Sequence, residues 1–110
     1  MNYQHTGISQ ERWSGFTLFE QMANIGSEVV RAIKWKEKKN LEYSQLSFYR
    51  SLELLDLTLT DKKHQSHLQE FTRLRECLVD FFAGNNIYGS SAESWKKYFY
   101  PFNFAARSSH

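Results

Sequence analysis

The sequence predicts an all-α fold, an up-and-down bundle of four main helices with a short Pro-bent C-terminal segment. Three observations carry this expectation. Apolar residues recur at helical spacing along most of the chain, with Leu41, Phe48, Leu52, Leu55 and Leu59 forming one stripe through the middle of it. Only five glycines and one proline are present, too few for the many tight turns of a β-sandwich. Polar helix-start and helix-stop signals divide the apolar runs into pieces of ordinary helix length.

The central stretch, Asn40 to Thr60, places Leu41, Gln45, Phe48, Leu52, Leu55 and Leu59 on one side, with Leu46, Tyr49 and Leu57 widening the stripe. So wide an apolar face suits a helix with more than one neighbour, and this helix is the expected central column. The polar Gln45 argues against a long coiled-coil seam.

Upstream of it, Thr17-Leu-Phe-Glu20 has the spacing of a capping box, in which the Thr hydroxyl and the Glu carboxylate satisfy each other's backbone amides. A helix from Thr17 to Lys39 follows, with Leu18, Met22, Ile25, Val29 and Ile33 on its apolar face. Gly26 lies inside it at a cost of about 1 kcal/mol relative to Ala, which a close helix crossing would explain. Lys38, Lys39 and Asn40 suit its C-terminal end, and the short link to the next helix implies an antiparallel hairpin.

After Leu41–Thr60, the polar segment TDKKHQSH reads as a loop. Ser66 to Gln69 and Ser90 to Glu93 repeat the capping-box spacing and open helices at Ser66–Ala83 and Ser91–Tyr100. Gly84-Asn-Asn stops the third helix with residues that tolerate positive φ. Pro101 removes one backbone donor and disfavours helix at Tyr100, so a bend is expected, with Phe102 to Arg107 resuming as a short turn. One domain, residues 1–110, is expected, with 1–9 and 108–110 loosely ordered.

Composition narrows the function. The chain is 41% hydrophobic and 24% charged, as in globular proteins, and its formal net charge of +2 does not by itself imply a nucleic-acid partner. Cys77 is the single cysteine, which excludes an intrachain disulfide and points to a reducing, cytoplasmic setting. The stretch MNYQHTGISQERWSGF has no apolar signal region, and no apolar run reaches the roughly 20 residues of a membrane span, so no membrane association is expected.

Few residues point to chemistry. His64 and His67, with Asp61 and Glu70 nearby, have a spacing that suits one metal on a helix, but a solvated helix start explains the same residues. Cys77 sits in an apolar helical pattern and reads as a structural thiol, since no local signature supplies the basic partner a nucleophile needs. No phosphate loop or nucleophile elbow is present. No catalytic, cofactor-binding or metal residue is therefore assigned, and no enzyme activity or cofactor is expected.

Two surfaces suggest partners instead. Arg31, Lys34 and Lys38 lie on one helical face with Trp35 among them, a pattern that offers phosphate attraction and an aromatic platform for a base. Glu28, Glu37 and Glu42 dilute that field, and a solvated helix end accounts for it equally. The segment Trp95 to Phe104 holds six aromatics in ten residues. A short helix cannot turn all six inward, so Tyr98, Tyr100 and Phe102 are the candidate protein interface, with a homodimer favoured over a lid across the bundle.

Two resemblances bear on these expectations. The hairpin from Val30 to Asp56 resembles one tetratricopeptide unit. Ala32 and Trp35 stand at the small and aromatic positions of its first helix, and Ser44, Phe48 and Ser51 at those of its second. The family's glycine, terminal proline and second repeat have no counterpart, and a single unit implies no stacked peptide groove. In helix number and order the chain resembles small bacterial helical bundles of the HEPN type, which accompany nucleotidyltransferases or act as ribonucleases. The resemblance implies nucleotide or RNA association. The ribonuclease members carry an Arg followed a few residues later by His; Arg31, Arg50, Arg73 and Arg75 have no His at that spacing, so catalysis is not carried over. The leading expectation is a non-enzymatic helical interaction module, and the alternative is a nucleotide- or RNA-associated HEPN-like protein.

Overall fold

A computed structural model describes residues 8–108, with side chains through residue 106. It is about 82% helical, and no strand occurs among the described residues. Five α-helices follow in order: α1 (Gln10–Ser14), α2 (Leu18–Glu37), α3 (Leu41–Leu59), α4 (Leu68–Ala83) and α5 (Ala92–Ser108). A 3-10 segment, Lys62–His67, joins α3 to α4. The expectation of loose ends falls mostly outside the described residues; within them, Ser9 caps α1 by accepting from the Arg12 amide.

Cross-helix pairs establish the topology. Ala32 meets Ser44, whose hydroxyl donates to the Ala32 carbonyl at 2.8 Å, while Glu28 faces Arg50 farther along, so α2 and α3 run antiparallel. Phe48 packs on Phe82 and Asp56 on Arg75, which sets α4 antiparallel to α3. Phe19 packs on Phe102 while Gly26 lies against Phe99, so α5 runs back along α2. The up-down-up-down order follows from these pairs. The expected central column was α3. The structure divides that role, because α2 is packed on both sides, by α3 and by α5, while α4 meets α3 over a thinner contact.

The local signals acted as physics requires in some places and were overridden in others. Thr17 and Glu20 form the complete capping box. Lys39, not Asn40, takes the left-handed conformation at φ 63°, and Asn40 instead caps α3 by accepting from the Tyr43 amide. The box expected at Ser66 is absent. His67 occupies the N-cap of α4 without a side-chain bond, because Asp61 has already wound the chain into a 3-10 turn by accepting from the Lys63 amide. At α5 the reciprocal cap forms between Ser91 and Ser94 rather than through Glu93.

The α4–α5 link is organised by Asp80. Its carboxylate accepts from the amides of Ile87 and Tyr88, and positive φ falls on Asn86 and Gly89, whereas Gly84 is extended. The segment after Pro101 is helical, as expected, but belongs to the same helix: α5 continues through Pro101 to Ser108. Proline removes one backbone bond and crowds the carbonyl four residues back, but Trp95, Phe99 and Ala106 are buried along one side of the helix on both sides of it.

The core joins Met22, Ile25, Val29 and Ile33 of α2 to Phe48, Leu52 and Leu55 of α3, Leu74 and Leu78 of α4, and Trp95 and Phe99 of α5. Trp13 of the short α1 is completely buried in it, and its Nε1–H donates to the Thr58 hydroxyl at 2.9 Å.

Candidate functional site

The outer side of α5 exposes two large aromatic side chains one turn apart. One face of this helix buries Trp95 and Phe99, at 6% and 1% exposure, whereas Tyr100 and Phe104 stand 69% and 65% exposed. At 100° per residue Tyr100 and Phe104 share one side, one turn apart, with Glu93 and Lys97 on the same strip. The helix therefore splits the expected set of Tyr98, Tyr100 and Phe102. Tyr98 and Phe102 pack on each other with ring centroids 5.8 Å apart, and Phe102 reaches Phe19 of α2. Tyr100 faces the opposite way. Phe104 completes its patch, a pairing readable from the i, i+4 spacing once α5 is known to cross Pro101.

Tyr98 flanks a shallow cavity of about 420 Å3 between α4 and α5, together with Glu70, Arg73, Cys77 and Trp95. Burial, with the neighbouring Glu70 carboxylate and Cys77, raises the Tyr98 phenol above the usual tyrosine range. Trp95 is buried, and its Nε1–H finds no acceptor among the described residues.

The basic face of α2 acquires a partner from α3. Arg31, Trp35, Tyr43 and Arg50 border a recess of about 200 Å3. Glu28 sits between the two arginines, 2.6 Å from Arg31 and 4.0 Å from Arg50, so part of their charge is already answered. Trp35 is also engaged. The Lys38 ammonium lies 5.3 Å from its ring centroid, and Tyr43 meets it edge-on at 5.0 Å. Lys34 remains exposed on the same face. Lys36, between Lys34 and Lys38 in sequence, is turned to another side of α2 and lies over Phe81 and Phe82 of α4.

The two histidines part. His64 is buried, and its Nε2 lies 2.9 Å from Gln21 Oε1, while His67 stays at the rim, 3.7 Å from Glu70. Gln21, fully buried in α2, donates through Nε2 to the Trp13 carbonyl at 2.8 Å and reaches Asp61 Oδ2 at 3.5 Å. The polar set Gln21, Asp61 and His64 thus ties α1, α2 and the 3-10 segment together. Burial lowers the His64 pKa against a smaller opposing pull from Asp61. Burial also acts to raise Asp61, but the Lys63 amide, Gln21, the Lys63 ammonium and His64 together hold it below the ordinary carboxylate value. Lys63 closes the cluster by donating to the carbonyls of Ser14 and Phe16. Gln21 carried no signal in the sequence; a lone glutamine on an apolar helical stripe is the only trace of it.

Among the described residues no group of three or more His, Cys, Asp or Glu side chains is placed to hold a metal ion, and no helix is long and apolar enough to cross a membrane. Compared with known proteins, the chain matches no family model, no curated protein and no solved structure.

Proposed function

We propose that this chain is a non-enzymatic interaction module that associates with a second copy through the outer face of α5. The observation that carries this reading is the exposure of Tyr100 and Phe104 on a helix whose opposite side buries Trp95, Phe99 and Ala106. Large aromatics bring much contact area at low entropic cost, and they are enriched where proteins meet. The strip also carries one acid, Glu93, and one base, Lys97. A surface holding both signs is suited to its own copy across a two-fold axis. A stable contact of this kind covers about 800 Å2 per partner, so the neighbouring α5 residues would take part as well.

Sedimentation equilibrium tests the reading. The wild-type chain is expected to dimerise at micromolar concentration, and Tyr100→Ala with Phe104→Ala to give a folded monomer. A wild-type chain still monomeric at high micromolar concentration removes self-association.

A second reading rests on Arg50, which α3 brings beside Arg31 at the Trp35 recess. This arrangement supports an RNA- or nucleotide-associated, HEPN-like role for the Arg31, Lys34, Lys38 face. Binding would then weaken steeply with salt as phosphate contacts release counterions, and Lys34→Glu with Lys38→Glu would reduce it. RNA affinity unchanged by that double substitution counts against this reading.

A further inference from the structure

Between α3 and α4 a cavity of about 470 Å3 opens to the surface. Phe48 and Leu52 of α3 and Val79 and Phe82 of α4 make its walls. Among the described residues two cationic side chains line it, Lys36 near Phe82 and Arg75 seven residues earlier on α4, and no carboxylate does. Seven helical residues span about 10 Å, which sets the length of the groove.

The two cations differ. Arg75 is occupied, with Nε 2.8 Å from the Asp56 carboxylate. The Lys36 ammonium lies over aromatic rings, 5.0 Å from the Phe81 centroid and 5.8 Å from that of Phe82, and makes no ion pair with a carboxylate among the described residues. A largely apolar trough of this volume, ending at a cation with no ion-pair partner among the described residues, has the composition of a small-molecule site: apolar walls and a few polar side chains, here Ser44, Gln45 and Tyr49, beside the one charge free to orient a ligand.

We infer that this groove binds a carboxylate-headed aliphatic ligand of the fatty-acid class, its chain along Phe48, Leu52 and Val79 and its carboxylate at the Lys36 ammonium. An acidic amphipathic helix matches the charge less well in shape. A helix 10–12 Å across would rest above so narrow a trough and insert only side chains. The groove lies apart from the outer face of α5, so the inference stands independently of self-association.

The test uses decanoate, decanol and decyltrimethylammonium, each below its micelle concentration, with amide chemical shifts as the readout. Saturable binding of decanoate is expected, with shifts centred on Phe48, Leu52 and Val79. The cationic amphiphile should bind at least about tenfold more weakly, a discrimination equal to one decade in Kd. Lys36→Glu and Leu41→Glu, both at exposed positions on the rim, should each weaken decanoate without unfolding the chain, and Tyr100→Ala should leave it unchanged. The headgroup comparison on wild-type protein carries the test even where a variant fails to fold. Equal affinity for both headgroups, shifts centred elsewhere, or an acidic helical peptide binding where decanoate does not would each overturn the inference.

Discussion

Gly26 of α2 lies directly beneath the ring of Phe99 of α5: a Cβ built at Gly26 falls 2.7 Å from Phe99 Cγ. Non-bonded carbons do not approach so closely, so something would have to shift. Glycine therefore allows α5 to pack flush on α2, and the helix-propensity cost of about 1 kcal/mol is offset by the burial of Phe99.

Gly26→Ala is accordingly expected to destabilise the fold by about 1–2 kcal/mol, because overpacking outweighs the better propensity of alanine. Urea denaturation measures this. Phe99→Leu in the Gly26→Ala background should cost less than in wild type, since the shared clash is relieved. A Gly26→Ala protein as stable as wild type would show that the crossing is not tight.

Thr58 accepts from the buried Trp13 indole and donates to the Leu54 carbonyl at 3.0 Å. Thr58→Val keeps the shape but leaves the indole N–H buried without an acceptor. A loss of about 1–3 kcal/mol should follow, read from thermal or chemical unfolding. A change within a few tenths would mean that α1 is not anchored through this bond.

Stability should fall on mild acidification, and the sign follows from His64. Its folded pKa lies below the ordinary histidine value, so the unfolded chain takes up the proton first. The contribution of the neutral ring is complete above about pH 6.5 and is lost as pH falls from there toward the depressed folded value. Asp61, also held low, acts in the same direction in a more acidic window: its contribution is complete above about pH 4 and is lost as pH drops through its folded value. Denaturation midpoints at pH 7.5 and pH 5 should differ in wild type and differ less in His64→Gln. An identical drop in both proteins would place the pH dependence elsewhere.

How much was readable in advance depended on whether a property is local. Helical periodicity, the Thr17/Glu20 cap and the polar break between Glu37 and Leu41 are encoded within a few residues, so α2, α3 and the class of fold were visible in the chain. The Ser66 cap failed where a neighbouring local signal, Asp61 with Lys63, reached the backbone first. Helix α5 crossed Pro101 although proline costs a hydrogen bond and a clash with the carbonyl four residues back, about 3 kcal/mol, because Trp95, Phe99 and Ala106 bury a continuous face.

The candidate sites divide along the same line. The sequence by itself determined the all-α pattern, the aromatic richness of residues 95–104 and the basic run at the end of α2. Only the tertiary structure decided which aromatics face outward, which elements share a groove and which charges are answered. Trp35 is occupied by Lys38 and Tyr43, Arg31 by Glu28, and His64 by Gln21, forty-three residues away. Periodicity assigns a residue to a side of its own helix, but burial and charge pairing depend on what another helix brings to that side.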